Sequence, residues 1–200
     1  KTFNTSFKIL WAFSFPIAVG TTLLAQPLIV FLYTAEFVNS AIVLAILIWA
    51  LPFLNLSSLC GSITTATDKE KKAARVYVTA ALLNLATNII AIPIWGYIGA
   101  AASTVLTEVV ALALFYRVLH SEFPLTDLKN TLLKPCLAGL IMMGVILVLS
   151  NWPLMVIILV GALVYPVVLL ALKPFNQAEL KIINGLWSSL RQRLPGGAAR

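Results

Sequence analysis

Two uncharged stretches occupy most of the first third of the chain. No charged residue lies between Lys8 and Glu36, and none lies between Glu36 and Asp68. Each gap exceeds the roughly 20 residues that an α-helix needs to cross the hydrocarbon core of a membrane. Each stretch is therefore predicted to form one membrane-spanning helix.

Two longer apolar stretches follow. The segment between Arg75 and Arg117 contains one charge, Glu108, and the segment between Lys134 and Lys173 contains none. Each is long enough for two spans of about 20 residues joined by a turn. Turn-forming residues lie near both midpoints, namely Pro93, Gly96 and Gly99 in the first segment and Asn151, Trp152 and Pro153 in the second.

The hydrophobic pattern thus predicts an all-α, polytopic membrane protein with six transmembrane helices. Their predicted bounds are 9–33, 41–63, 76–94, 98–118, 132–149 and 154–172. Beyond them, apolar residues recur at three- and four-residue steps across 177–194, accompanied by basic residues. This pattern is typical of an amphipathic helix that lies at the membrane interface.

Composition and charge give the class of protein and its orientation. Apolar residues make up 60% of the chain, charged residues make up 10%, and the mean hydropathy is +0.98. In soluble domains about 25% of residues are charged. All 14 Lys and Arg residues precede the first span or follow the second, fourth and sixth. Because basic residues mark cytoplasmic loops, we predict a multi-pass protein of the cytoplasmic (inner) membrane with both termini in the cytoplasm.

The same charge distribution argues against a nucleic-acid partner. The net charge of +7 is explained by the loops on one side of the membrane and by anionic lipid. We expect four regions: a four-helix unit at 1–120, a cytoplasmic linker at 121–131, an appended helix pair at 132–172, and an amphipathic helix with a tail at 173–200. The first residue is not Met, which suggests a fragment of a longer protein.

Polar residues in the third and fourth spans can be placed by depth. Asn84 lies nine positions after Arg75, and Glu108 lies nine positions before Arg117. At about 1.5 Å per residue both are roughly 14 Å from the basic side, near the middle of the bilayer. Asn84 and Glu108 are therefore predicted to be level, and both are candidates for cavity lining or for helix pairing.

A second pair follows from the same count. Asn88 and Thr104 lie one helical turn further from the basic side, so each helix carries a polar stripe with a spacing of four residues. Small residues on the fourth span would allow the two backbones to approach closely. These small residues are Gly99, Ser103 and Thr107.

Glu108 is the one ionisable residue placed deep in a predicted span. A charge there costs about 3 kcal/mol on insertion scales, whereas an interhelical hydrogen bond contributes about 0.6 kcal/mol. The side chain must therefore be protonated, paired or exposed to water. Two interpretations remain open: a cavity-lining or proton-coupled carboxylate, and a neutral side chain that joins two helices.

Other residues carry weaker signals. Pro16 and Pro27 interrupt the hydrogen bonds of the first span and are candidate kinks, either in a moving helix or in ordinary packing. Cys60 and Cys136 lie near cytoplasmic helix ends and are interpreted as reduced packing residues. His120 has no second ligand nearby in the sequence. No catalytic residue, metal site or cofactor is predicted.

The order of motifs resembles polysaccharide-biosynthesis flippases, most clearly over 15–119. These belong to the lipid-linked oligosaccharide branch of the multidrug/oligosaccharidyl-lipid/polysaccharide exporter superfamily. The motifs are Phe-Pro-Ile-Ala-Val-Gly at 15–20, Pro-Leu-Ile-Val-Phe-Leu-Tyr at 27–33, the basic loop at 68–72, Asn84, Asn88, Ile92-Pro93, Gly96, Gly99-Ala100-Ala101 and Glu108.

The resemblance implies a transporter rather than an enzyme. Such proteins contain twelve to fourteen helices in two lobes, and they rock around a central cavity to flip polyprenyl-diphosphate-linked sugars. The chain matches the last six helices, so its implied partners are membrane lipid, the lipid-linked oligosaccharide and the missing N-terminal lobe of the same protein. No Lys or Arg lies inside a predicted span, so cations that bind the diphosphate would come from the missing part.

Three alternatives remain. In a multidrug or organic-cation antiporter of the same superfamily, Glu108 would be the driving site. A membrane enzyme acting on lipid would need clustered ionisable or nucleophilic residues near one interface, and Glu108 is isolated. The chain could also be a structural module of six helices that assembles with a partner.

Overall fold

A computed structural model describes residues 2–125 and 129–174, and every regular element in these residues is helical. Six α-helices lie in this part of the chain, together with a 3₁₀-helix at Ala35–Ser40 and a π-helical turn at Lys129–Leu133. The predicted all-α fold is confirmed. The predicted amphipathic helix at 177–194 lies outside the described residues. The α-helices are α1 (Thr2–Leu32), α2 (Ala41–Leu47), α3 (Ala50–Ala66), α4 (Glu70–Leu119), α5 (Lys134–Val148) and α6 (Leu154–Ala171).

Helix α4 is a hairpin of two antiparallel arms. A straight helix of its 50 residues would be about 75 Å long, far longer than a membrane is thick. The backbone turns at Gly96, where φ is 57° and ψ is −136°, a conformation that favours glycine because a Cβ would be strained there. We call the arms before and after Gly96 α4a and α4b.

The number of crossing segments agrees with the prediction. Five helical regions of the described chain are long and apolar enough to cross a membrane, and one of them is the whole of α4. Because α4 contains two arms, these five regions provide six crossing segments.

The second span is one crossing segment, as predicted at 41–63, but its α-helix is interrupted between α2 and α3. Helices α2 and α3 are separated by Ile48 and Trp49. Pro52 has no N–H to donate to the Ile48 carbonyl, and the amide of Leu51 bonds that carbonyl instead, at 3.1 Å. Helix α1, by contrast, remains helical through both of its prolines.

The basic ends of the helices gather at one end of the bundle. The Lys8 ammonium donates to the Pro174 carbonyl at 2.9 Å, and the Lys134 ammonium donates to the Lys173 carbonyl at 3.0 Å. Both carbonyls directly follow α6, where the helix dipole favours cations. Lys8 is buried and lies inside α1, because that helix begins seven residues before the predicted start of the first span.

Two apolar clusters form most of the core. One joins α1 to α5 and α6 and contains Met142, Ile157 and Leu169. The other joins α1, α3 and both arms of α4, and its fully buried members include Cys60 and Phe115. Helix α1 therefore contacts both groups of helices, so the pair α5–α6 packs directly on the first helix.

Candidate functional site

Small and polar residues form the contact between the two arms of α4. The Asn84 side-chain amide donates to the Thr107 hydroxyl at 3.2 Å, and Thr87 is hydrogen-bonded to Ser103. Ser103 and Thr107 are buried. Nearer the turn, a Cβ on Gly99 would overlap the Ala91 carbonyl group. The two backbones therefore approach closely because α4b carries a row of small residues, Gly99, Ser103 and Thr107. Small residues commonly allow such close contact between membrane helices.

The structure replaces the two predicted polar pairs with others. Asn84 bonds Thr107 rather than its neighbour Glu108. Asn88 donates to the Asn84 side-chain oxygen at 2.9 Å, and Thr104 donates to the Ala100 carbonyl at 3.0 Å within α4b. The residue of α4b that lies level with Asn84 is therefore one position earlier than predicted, at Thr107 rather than Glu108. Because each residue turns a helix by about 100°, that step moves Glu108 away from the contact between the arms.

Glu108 faces α3 instead. The Ser57 hydroxyl lies 3.2 Å from the Glu108 Oε2 atom, and the glutamate side chain is half-buried. Ser57 is buried on α3, one residue after the fully buried Leu56. Serine was not predicted as the partner of this carboxylate, so the contact is new information from the structure.

A further polar contact extends this line of side chains to α1. The Asn55 side-chain amide donates to the Ser14 hydroxyl at 2.7 Å, and Ser14 is fully buried. Polar bonds thus connect α1 to α3, α3 to α4b, and α4b to α4a within the predicted spans. We call this set the polar seam; it comprises Ser14, Asn55, Ser57, Asn84, Thr87, Ser103, Thr107 and Glu108.

Asn88 and Thr104 lie beside the polar seam. The Asn88 side-chain oxygen is buried and has no hydrogen-bond partner among the described residues. Thr104 is half-buried and its hydroxyl is used within its own helix. Asn88 therefore bonds a seam residue within its own arm, Thr104 bonds the backbone of its own helix, and neither links two helices.

A buried polar bond joins α1 to α6. The Tyr165 hydroxyl donates to the Ala12 carbonyl at 2.6 Å in a buried position. In a regular helix that carbonyl would accept from the amide four residues later, which is Pro16 and has no N–H. Tyr165 thus satisfies the carbonyl that the proline leaves without a partner, as buried backbone groups require.

An apolar cavity of about 670 Å³ lies next to this bond, between α1, α5 and α6. Pro16, Tyr165 and Pro166 are among its lining residues, and the rest of the lining is predominantly aliphatic. Pro27, the other candidate kink, does not line it. Such a lining accepts hydrocarbon and offers almost no groups for charged ligands.

No group of three His, Cys, Asp or Glu residues that could hold a metal ion is found in residues 2–125 and 129–174. His120 is exposed, and its Nδ1 atom lies 3.1 Å from the Arg117 carbonyl oxygen. Both cysteines are free thiols, with Cys60 buried and Cys136 half-buried.

Sequence reasoning missed Thr87 and Tyr165, and it did not pair Ser57 with Glu108. Thr87 follows Asn84 by three positions and so extends its stripe, which helical spacing could have revealed. Pro16 indicates that the Ala12 carbonyl has no partner within its helix. A tyrosine in an apolar helix needs an acceptor for its hydroxyl. Together these two signals could have suggested the bond from Tyr165 to Ala12. No signal in the sequence relates Ser57 to Glu108.

The fold and the site together define a multi-pass α-helical membrane protein with a polar seam inside its spans. No protein-family model matches the sequence, and no curated protein sequence matches it. The fold is similar to the solved structure of the lipid II flippase MurJ in its inward closed conformation. The TM-score is 0.77 at 25% sequence identity, over 86% of this chain and 38% of that one.

The predicted resemblance to flippases of the exporter superfamily is therefore confirmed by this similarity in fold. The similar protein is a flippase and hence a transporter, in agreement with the prediction that the chain is not an enzyme. The chain spans 38% of the length of that flippase, so the matched part corresponds to a portion of it.

Proposed function

We propose that this protein flips a polyprenyl-diphosphate-linked oligosaccharide across the cytoplasmic membrane for surface polysaccharide synthesis. The main observation that supports this proposal is the similarity in fold to a lipid II flippase over 86% of the chain, with a TM-score of 0.77. The apolar cavity between α1, α5 and α6 also suits a membrane protein that handles lipid.

In this proposal the chain acts together with an N-terminal lobe of the same protein. It spans 38% of the similar flippase, and a cavity between two lobes needs both of them. In this arrangement, residues 1–120 act as the core unit and 132–172 as the appended pair. The cations that bind the diphosphate lie on the first lobe.

In this proposal the polar seam makes the helices of the core unit move together. Its hydrogen bonds connect α1, α3 and the two arms of α4 within the membrane. Helices joined in this way move together, because separating them would leave buried polar groups without partners. Rocking of lobes then displaces these helices as one body, with Asn84 and Glu108 joining neighbouring helices and Asn88 bonding Asn84 within its own arm.

The orientation of the chain is part of the proposal and is tested by labelling. Ser121 and Ser150 are both exposed and lie in loops at opposite ends of the helices. Each is replaced by cysteine in a background with Cys60→Ser and Cys136→Ser. A membrane-impermeant thiol reagent applied to intact cells should label Ser150→Cys, and it should label Ser121→Cys only after permeabilisation. The reverse pattern would place the basic end outside.

Reconstitution tests the transport activity. The chain together with its first lobe is incorporated into vesicles that contain a labelled polyprenyl-diphosphate oligosaccharide, and access of an added glycosidase to the label is followed over time. We expect faster loss of the protected pool than in protein-free vesicles. Failure to move this lipid, with export of an organic cation instead, would favour the antiporter. Failure with both substrates would favour a structural module.

A further inference from the structure

Helix α2 is joined to the rest of the bundle differently from its neighbours α1, α3 and α4. All seven of its residues are apolar, so no side chain of α2 takes part in the polar seam. Its buried residue Ala41 belongs to a small apolar cluster with Ala25 and Ile29 of α1, separate from the two main clusters. Helix α2 also contacts α4. Its side chains therefore make apolar contacts, which give little driving force for helix association in lipid.

The junction between α2 and α3 is built from short backbone turns. The Trp49 amide donates to the Ile46 carbonyl at 3.1 Å, and the Leu51 amide donates to the Ile48 carbonyl at 3.1 Å. These bonds span three residues rather than the four of an α-helix, and a 3₁₀ stretch of this kind inside a longer helix often marks a hinge. Pro52 opposes a regular α-helical turn here, because its ring clashes with the carbonyl four residues earlier.

One carbonyl group at the junction has its partner on α1. In a regular helix the Ala45 carbonyl would accept from the Trp49 amide, which bonds Ile46 instead. The Thr22 hydroxyl oxygen lies 3.2 Å from the Ala45 carbonyl oxygen and 2.8 Å from the Ala18 carbonyl oxygen of its own helix. Because a carbonyl group inside a membrane needs a donor, Thr22 fastens α2 to α1 at the point where the second span is interrupted.

The bond from Thr22 to Ala45 can be exchanged without leaving a polar group unpaired. The Thr22 hydroxyl carries one hydrogen and can donate it to Ala18 alone, a common bond for threonine within a helix. The Trp49 amide can then turn to the Ala45 carbonyl, and the carbonyl that it leaves can accept from the amide four residues further on. Two arrangements of the junction therefore satisfy the same groups. The polar seam differs, because separating its helices would leave buried groups without partners.

We propose that the junction at Ile48 and Trp49 is a hinge about which α2 turns relative to α3, and that Thr22 is the latch that holds α2 against α1. Helices α1, α3 and α4, which the polar seam joins, stay together during this motion. An apolar groove of about 270 Å³ runs along the hinge and is lined from both sides of it, by residues that include Leu44 and Leu51. The groove therefore changes shape as α2 turns.

Distances between spin labels test the hinge without any measurement of transport. In a background with Cys60→Ser and Cys136→Ser, the spanning pair of labels is attached at two exposed positions, Ile42 of α2 and Ser62 of α3. The reference pair, at Ser62 and the exposed Leu106 of α4b, lies within the body that the polar seam joins. Double electron–electron resonance on the protein in lipid nanodiscs gives both distance distributions.

Removal of the latch is the main variant. Thr22→Val keeps the shape of the side chain and loses the hydroxyl, so the distribution of the spanning pair should widen by several ångströms while that of the reference pair stays the same. Thr21→Val, at the neighbouring position that lines the apolar cavity, is the matched control and should change neither. A spanning distribution that Thr22→Val leaves unchanged, or that Thr21→Val widens equally, would overturn the latch. Equal widening of the reference pair would overturn the hinge, because the motion would then include α3 and α4b.

A second variant tests where the hinge lies. In Pro52→Ala, residue 52 gains an amide that can donate to the Ile48 carbonyl, so the second span can form a continuous helix. The distribution of the spanning pair should become narrower, and adding Thr22→Val should no longer widen it. If Thr22→Val widened it as much in the Pro52→Ala background as in the original one, the motion would arise elsewhere in the second span, and a hinge at Ile48 and Trp49 would be excluded.

Discussion

The described helices are held together in two different ways. Around α3 and α4, side-chain hydrogen bonds cross between helices at several depths, and small residues allow the arms of α4 to touch. Around α1, α5 and α6 the contact is aliphatic, with the bond from Tyr165 to Ala12 and an adjoining cavity of about 670 Å³. One region is joined by polar contacts between helices, and the other is joined by aliphatic contacts beside an apolar cavity.

The difference follows from the physics of helix association in lipid. Apolar surface gives little driving force there, because lipid tails are as apolar as the side chains they replace. Close packing and interhelical hydrogen bonds therefore define a unique arrangement, as in the α4 hairpin. Aliphatic contacts around a cavity define the arrangement less strictly. We therefore expect the α1–α5–α6 region to change shape more readily than the α3–α4 region.

The largest expected effect comes from adding one carbon atom to the contact between the arms of α4. In Gly99→Ala the new Cβ would overlap the Ala91 carbonyl group, so the arms must separate. Overpacking of this kind costs about 1–3 kcal/mol. Thermal unfolding in detergent micelles should show a clearly lowered midpoint.

The matched control for this prediction lies in the other region. A Cβ on Gly144 of α5 would meet no atom within 4 Å, so Gly144→Ala should leave the midpoint unchanged or raise it slightly through helix propensity. Equal loss in the two variants would show that the α4 contact is not especially close.

The next effect concerns the polar bond between α1 and α6. Tyr165→Phe removes the hydroxyl that satisfies the Ala12 carbonyl, and we expect a loss of up to about 1.7 kcal/mol, the upper range for such bonds in membranes. The same variant in a Pro16→Ala background should cost much less, because the new amide of residue 16 can satisfy Ala12 from within α1.

A double-mutant cycle measures this coupling between Tyr165 and Pro16. The free energies of unfolding of the two single variants and the double variant are compared with that of the unsubstituted protein. Additive losses would mean that the loss in Tyr165→Phe does not depend on the carbonyl that Pro16 leaves without a partner. A coupling comparable to the loss in Tyr165→Phe would assign that loss to the carbonyl of Ala12.

The sequence predicted the helices and the depth of their polar residues better than the direction in which those residues point. Arg75 and Arg117 placed Asn84 within one residue of its partner, because rise per residue is nearly constant. Rotation about the helix axis depends on packing against other helices, so Ser57 could not be assigned to Glu108. The position of the interruption at Ile48 and Trp49 was not predicted, because a proline in a membrane helix, here Pro52, is compatible with either a continuous or an interrupted helix.

The smallest expected effect distinguishes a bond between helices from a bond within one. Asn84→Ala removes the hydrogen bond to Thr107 of the other arm and also the oxygen that accepts from Asn88, and interhelical bonds of the first type average about 0.6 kcal/mol. Asn88→Ala removes a bond to Asn84 inside α4a, where pairs of this spacing contribute about 0.2–0.5 kcal/mol. The free energies of unfolding should therefore follow this order, and the loss in Asn84→Ala should be non-additive with the loss in Thr107→Ala. If Asn88→Ala proved the more harmful, the stabilising contact would lie along one arm, and the polar seam would not be what holds the hairpin together.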